Sequence, residues 1–217
     1  MSALSPIRTS LERRRAPKLS PEKRREQLLR CALTVFARRG IGSARHAEIA
    51  QEAQVAVPTV FTYFPTREIL VREVLSEVDQ YLSQVVWSAI GAGNSVFEKL
   101  LLVTKAFGDS VITDPDVMKI WLNWSTAMRD NTWLLYEDLQ TRVIDLFVEV
   151  IRDGQTKGEV HVTVDPEIAA YMVVSGGHMI VQMKLVARKS AVIDAFLEKL
   201  VLGSLMPEVS SSHEQNT

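Results

Sequence analysis

A chain of 217 residues with 47% hydrophobic and 24% charged side chains can bury a core, which excludes a low-complexity or charge-extended protein. Its single cysteine, Cys31, excludes an internal disulfide and a cysteine-based zinc cluster, and no apolar run approaches the ~18 residues of a membrane span. The formal net charge of −1 conceals a division: residues 1–67 hold 13 Lys and Arg against 5 Asp and Glu, a net of +8, whereas residues 68–217 hold 12 against 21, a net of −9. A basic N-terminal third suits a polyanion, either nucleic acid or a membrane surface. The charged N-terminus has no apolar segment behind it, so a secretory signal is not expected and the reading is cytoplasmic.

Residues 1–19 carry Arg8, Arg13, Arg14, Arg15 and Lys18 with few apolar groups, the composition of a disordered basic arm. Ser20, Pro21 and Glu22 form a helix start, with a capping hydroxyl, a proline at the first position and an acid in the first turn. Leu28, Ala32, Val35 and Phe36 then make one apolar stripe, stopped near Gly40. Two short helices are predicted at 46–53 and 57–63, the second with Val57, Val60, Phe61 and Phe64 inward. A long helix follows Pro65–Glu68 and runs to about 90, and helices are predicted over 95–112, 115–129, 131–153, 166–187 and 190–205. The stretch 154–165, including the weakly alternating 161–164, reads as loop, and the serine-rich 207–217 as a disordered tail.

The fold class is therefore all-α. A three-helix helix-turn-helix domain over 20–67 precedes a helical bundle over 68–206, about nine helices in all. Two short helices joined by a tight turn behind a longer one are the pattern that lays the second helix in the major groove. Small Ala50 lets the helices cross closely, and Val55 plugs the core between them.

The runs Ala37-Arg38-Arg39-Gly40-Ile41-Gly42, Ala47-Glu48-Ile49-Ala50 and VPTVFTYFPTRE at 57–68 resemble the N-terminal domain of TetR-family regulators. Within that family they are similar to the LuxR/HapR type, the quorum-sensing master regulators of vibrios. The block WLNWSTAMRDNTW at 121–133 extends the likeness beyond the DNA-binding part. The resemblance implies nine helices, a homodimer, a C-terminal pocket and binding to double-stranded DNA. Ala56, Pro58 and Thr62 depart from the subgroup's usual Ser, Ala and Asn, so operator preference does not transfer.

Candidate DNA-contacting residues are Arg45, Ala56, Pro58, Thr59, Thr62, Tyr63, Thr66 and Arg67. Family position implies a phosphate contact for the Tyr63 hydroxyl, and Thr66 and Arg67 open a helix whose free amides favour an anion. The face from Ala56 to Thr62 has no Asn, Gln or Arg for bidentate base reading. Shape readout and arm arginines Arg13, Arg14 and Arg15 in an A·T-rich minor groove are expected to compensate. Nonspecific attraction of the arm to phosphate is the plainer alternative.

Phe107, Met118, Trp121, Trp124, Met128, Trp133, Met172 and Met179 form an aromatic and methionine-rich set that is either core or the wall of a ligand cavity. Asn123 and His178 are its candidate polar anchors, for an apolar or amphipathic ligand of unknown identity. Gly176 and Gly177, with Ile193, Phe196, Leu197, Leu200 and Val201, are the candidate dimer interface. Cofactors and metals are not expected: His46, His161, His178 and His213 are scattered, and no phosphate loop or nucleophile elbow occurs. His46 reads as a helix-start or core residue and Cys31 as a small hydrophobe. A sequence-selective regulator is thus the leading reading, with both activation and repression in its range. A local ligand-responsive repressor is the alternative, and a helical interaction protein with a membrane-binding arm is the remote one.

Overall fold

The computed structural model describes residues 19–127 and 131–207. Arg13, Arg14, Arg15, Met128 and all but the first residue of the 207–217 tail lie outside the described residues. Nine helices make up these residues: α1 (Pro21–Arg39), α2 (His46–Glu52), α3 (Val57–Tyr63), α4 (Arg67–Ala92), α5 (Val96–Thr113), α6 (Pro115–Trp124), α7 (Trp133–Thr156), α8 (Pro166–Leu185) and α9 (Ser190–Ser204).

Local chemistry sets most of their ends. The Ser20 hydroxyl accepts from the Lys23 amide at 3.3 Å, and Gly40 closes α1 at φ 80°, a left-handed backbone that favours glycine. Thr66 and Ser95 cap α4 and α5 in the same way, and the Asp165 carboxylate accepts from two amides of α8. Three predicted boundaries move. The long helix α4 continues through Gly91, and α7 continues through Gly154 to Thr156. Packing overrides the helix-weakening glycine at the second position: a Cβ on Gly154 would fall 2.2 Å from Cγ2 of Val96, so the residue permits close approach of α7 to α5. The predicted 115–129 helix ends at Trp124.

One apolar core runs from Leu28, Ala32 and Phe36 of α1 through Ile49, Val60 and Phe64 to Leu70 and Val74 of α4. It is continuous with Met118, Trp121 and Trp124 of α6 and Tyr136 and Leu139 of α7. The expected boundary at 67/68 therefore marks no gap in packing. A second core joins the distal half of α4 to α5, α7, α8 and α9 through Leu100, Phe147, Ile151, Val173 and Val201. Burying a leucine-sized side chain contributes roughly 1.5–3 kcal/mol, so α6, with five buried residues, clamps the N-terminal helices onto the bundle.

Candidate nucleic-acid interface and cavity

The turn between α2 and α3 is closed by the Val55 amide donating to the Ala50 carbonyl at 2.9 Å, with Gln54 at φ 54°. A non-glycine residue in that left-handed region costs roughly 1–2 kcal/mol, and the turn spends it to set the crossing of α2 and α3. Val60 and Phe64 anchor α3 in the core. The side turned outward is Ala56, Val57, Pro58, Phe61 and Thr62, with Thr59 and Tyr63 half-buried at its margins.

Phe61 and Val57 correct the sequence expectation, which placed both inward. Phe61 is 46% exposed and its ring lies flat on His46, with centroids 4.2 Å apart and planes 1° apart. His46 is buried, and its Nε2 lies 2.8 Å from the Phe64 carbonyl oxygen. A carbonyl only accepts, so this nitrogen carries the proton. One histidine thus ties the end of α3 to the start of α2 and backs an exposed phenylalanine on the recognition face. Helical spacing gave no sign of it, because a seven-residue helix has too few turns to separate an inner stripe from its margin.

The remaining predicted contacts fall around this face. The Thr62 hydroxyl donates to the Pro58 carbonyl at 3.0 Å, which leaves its oxygen as an acceptor toward solvent. Arg45 precedes α2, its amide donating to the Glu48 carboxylate at 3.3 Å. Thr66 and Arg67 are already engaged within the chain. Thr66 caps Ile69, and backbone and Thr66 hydrogen bonds hold the Glu68 carboxyl below its ordinary range, so an acid attends the amides expected to face an anion. The Arg67 guanidinium donates to the Ile41 carbonyl at 2.5 Å, which leaves four of its five N–H groups for other partners. Arg38 and Arg39 pair with Glu52 and Glu48.

Asn123 does not line the cavity. It accepts from the Ile41 amide at 3.3 Å, so Asn123 and Arg67 hold the two polar groups of the same residue in the α1–α2 turn. The sequence pattern identified a polar residue among tryptophans but not the partner 82 positions away.

The bundle holds a cavity of about 70 Å³ between α4, α5, α6, α7 and α8. Phe107, Trp121 and His178 line it as expected. Met118 and Trp124 are core, and the Trp124 indole donates to the Thr132 carbonyl at 2.9 Å. Trp133 packs against Tyr136 with its ring tilted by 37° and centroids 5.1 Å apart. Met172 and Met179 point outward, at 42% and 47% exposure, so neither serves the cavity. The polar lining residues absent from the sequence expectation are Thr104, Tyr136 and Gln140, and the apolar ones include Leu82, Val103, Val143 and Phe147. Tyr136, Gln140, Val143 and Phe147 recur at helical spacing along α7, one stripe beyond the tryptophan block. The Tyr136 hydroxyl lies 3.2 Å from His178 Nε2. Burial pushes the Tyr136 phenol up to about 12 and pulls the His178 imidazole below its ordinary value.

The candidate dimer residues are largely consumed inside the subunit. Ile193, Leu197 and Val201 are buried, with Phe196 and Leu200 half-buried. A Cβ on Gly176 would fall 2.1 Å from Cδ2 of Leu200 in the same chain, and Gly177 faces Phe107. Periodicity identifies an apolar stripe but not the element that covers it; here α8 and α5 do. The outward apolar side of the pair is instead Ile168, Tyr171, Met172 and Met179 of α8 with Val192 and Leu202 of α9.

Residues 28–74 match the family described as bacterial regulatory proteins, tetR family. The HTH-type transcriptional regulator LuxR of Vibrio harveyi is 41% identical over 150 residues, 67% of this chain and 73% of LuxR. The chain belongs to the TetR family. It is a TetR-type transcriptional regulator, a class that acts by binding DNA and not by catalysis. The same fold occurs in a TetR-like regulator from Rhodococcus sp. RHA1, with a TM-score of 0.71, 18% identity and coverage of 87% of this chain and 98% of that one. It occurs also in FadR of Bacillus subtilis, solved in complex with stearoyl-CoA, with a TM-score of 0.69, 20% identity and coverage of 82% and 98%. No helix among the described residues is long and apolar enough to cross a membrane.

Proposed function

We propose that this TetR-type regulator acts in the cytoplasm as a homodimer on pseudo-palindromic operators, as a global quorum-sensing regulator that both activates and represses. The observation that carries the DNA reading is the outward face of α3. Ala56, Pro58, Phe61 and Thr62 sit together on a helix anchored from behind, with Tyr63, Thr66, Arg67 and Arg45 at its rim. Apolar groups and one hydroxyl suit thymine methyls and single hydrogen bonds, so direct readout is relaxed and DNA shape contributes. The arm arginines Arg13, Arg14 and Arg15 add phosphate or minor-groove attraction. The domains divide as 20–67 for DNA and 68–206 for regulation and pairing. The apolar outer side of α8 and α9 supports pairing of two copies through a four-helix contact.

The likeness to LuxR supports the global reading. The cavity favours a second one, a local repressor released by a small apolar or amphipathic ligand, which gains from the stearoyl-CoA bound by FadR. Mapping the binding sites of the full chain across its source genome separates the two. Dozens of sites support the global reading; one or two sites beside its own gene support the local one.

A further inference from the structure

The turn between α1 and α2 is held by two hydrogen bonds that meet on one buried residue. The Ile41 amide donates to the side-chain oxygen of Asn123 on α6 at 3.3 Å, and the Ile41 carbonyl accepts from Arg67 at the start of α4. Gly40 redirects the chain here at φ 80°, and a Cβ on it would lie 3.5 Å from the same Asn123 oxygen. The Gly40 carbonyl accepts from the Ser43 and Ala44 amides, which closes the turn up to Arg45 and the first residue of α2. Asn123 differs from its neighbours on α6. Trp121 and Trp124 are buried in the core shared with α1, whereas Asn123 is exposed and adds no apolar burial. Among the described residues, its bond to Ile41 is the one hydrogen bond between α6 and residues 20–66. Apolar contact is non-directional, so the α1–α6 packing alone tolerates small rotations of one helix on the other. A hydrogen bond weakens steeply away from its line and does not.

We propose that Asn123 is a positioning residue for DNA binding: its bond to the Ile41 amide, opposite Arg67 on the carbonyl, sets the angle of the helix-turn-helix on the bundle and thereby the separation of the two recognition helices in a dimer. Its effect needs no contact with DNA. Each base pair inserted between half-sites turns one about the duplex axis by roughly 35° relative to the other, so a fixed head angle selects one spacing. A head freed at Ile41 accepts several spacings and fits each less tightly. The inference rests on the reading of α3 as the recognition helix of a homodimer.

The test is fluorescence anisotropy of the full chain on duplexes built from the half-site that the parent selects from a random library. One duplex carries a single half-site; the others carry two inverted half-sites at the selected spacing and with one or two base pairs inserted or removed. The parent is expected to prefer the selected spacing at least tenfold. Asn123→Ala, which truncates an exposed side chain, should bind the single half-site within twofold of the parent. It should lose at least fivefold at the selected spacing and discriminate less than threefold among spacings. Asn123→Leu, which removes the acceptor at similar size, should behave alike and covers the case in which Asn123→Ala fails to fold. Asn123→Asp, which keeps an acceptor for the Ile41 amide, should restore the parent's profile. The proposal is overturned if both removal variants keep the parent's spacing preference, or if Asn123→Asp discriminates as poorly as Asn123→Ala. It is overturned also if affinity for the single half-site falls as far as affinity for the pair, which would make Asn123 a support of the head's fold. A parent that binds one half-site as tightly as any pair would refute the paired reading itself, and the proposal with it.

Discussion

His46 has two separable roles, and separating them tests how the recognition face is built. His46→Phe keeps a flat ring under Phe61 and removes the donor to the Phe64 carbonyl, whose distance to Nε2 is 2.8 Å. A buried carbonyl left without its partner costs roughly 1–3 kcal/mol. His46→Gln keeps a donor and removes the ring, losing a stack worth about 0.5–1.5 kcal/mol and leaving Phe61, already 46% exposed, without its backing. The two variants therefore rank in opposite orders. Chemical denaturation followed by circular dichroism should show the larger loss of stability in His46→Phe. Fluorescence anisotropy with operator DNA should show the larger loss of affinity in His46→Gln, because Phe61 no longer presents a fixed face. Equal stability of His46→Phe and the parent, or the same order in both assays, would refute the assignment of donor and platform to one side chain.

Three further outcomes follow from the same geometry. Gln54→Gly should raise the denaturation midpoint by the equivalent of about 0.5–1 kcal/mol, because glycine adopts a φ of 54° without strain and this gain exceeds its added unfolded-state freedom. No gain would show that the turn is not strained. Neutralising Arg13, Arg14 and Arg15 together should reduce the slope of log affinity against log salt by two to three charges' worth, roughly 0.9 per phosphate contact. An unchanged slope would remove the arm from the interface. His178 has a folded pKa below its ordinary 6.5, so the unfolded chain takes up its proton first as pH falls. Its contribution to stability is full above that value and is lost as pH drops from 6.5 toward the folded pKa. His178→Gln should flatten the stability profile in that interval, and a profile identical to the parent's would contradict burial as the cause.

Much of this was legible in the sequence because local chemistry wrote it. Ser20-Pro21 and Gly40 bracket α1, the apolar stripe of Leu28 to Phe36 faces the core, and α3 spans the expected 57–63 with Pro58 in its first turn. What escaped depends on partners distant along the chain. Asn123 belongs to Ile41 rather than to the cavity, and Ile193, Leu197 and Val201 are covered by their own subunit. Phe61 escaped for a different reason: a helix of two turns does not separate the stripe from its margin, and the Phe61 ring rests on His46 rather than in the core. Tyr136 and Gln140 were readable at helical spacing and needed only that the α7 stripe be followed beyond Trp133.

Two copies reading duplex DNA through the outward face of α3 is the arrangement from which the proposed regulation follows. Repeated selection by the full chain from a random duplex library tests it most directly. Paired reading heads should enrich two inverted half-sites with relaxed base preference, and Thr62→Asn should change the consensus within the half-sites. Enrichment of a single, unsymmetrical site, or a consensus indifferent to Thr62→Asn and to Phe61→Ala, would contradict it.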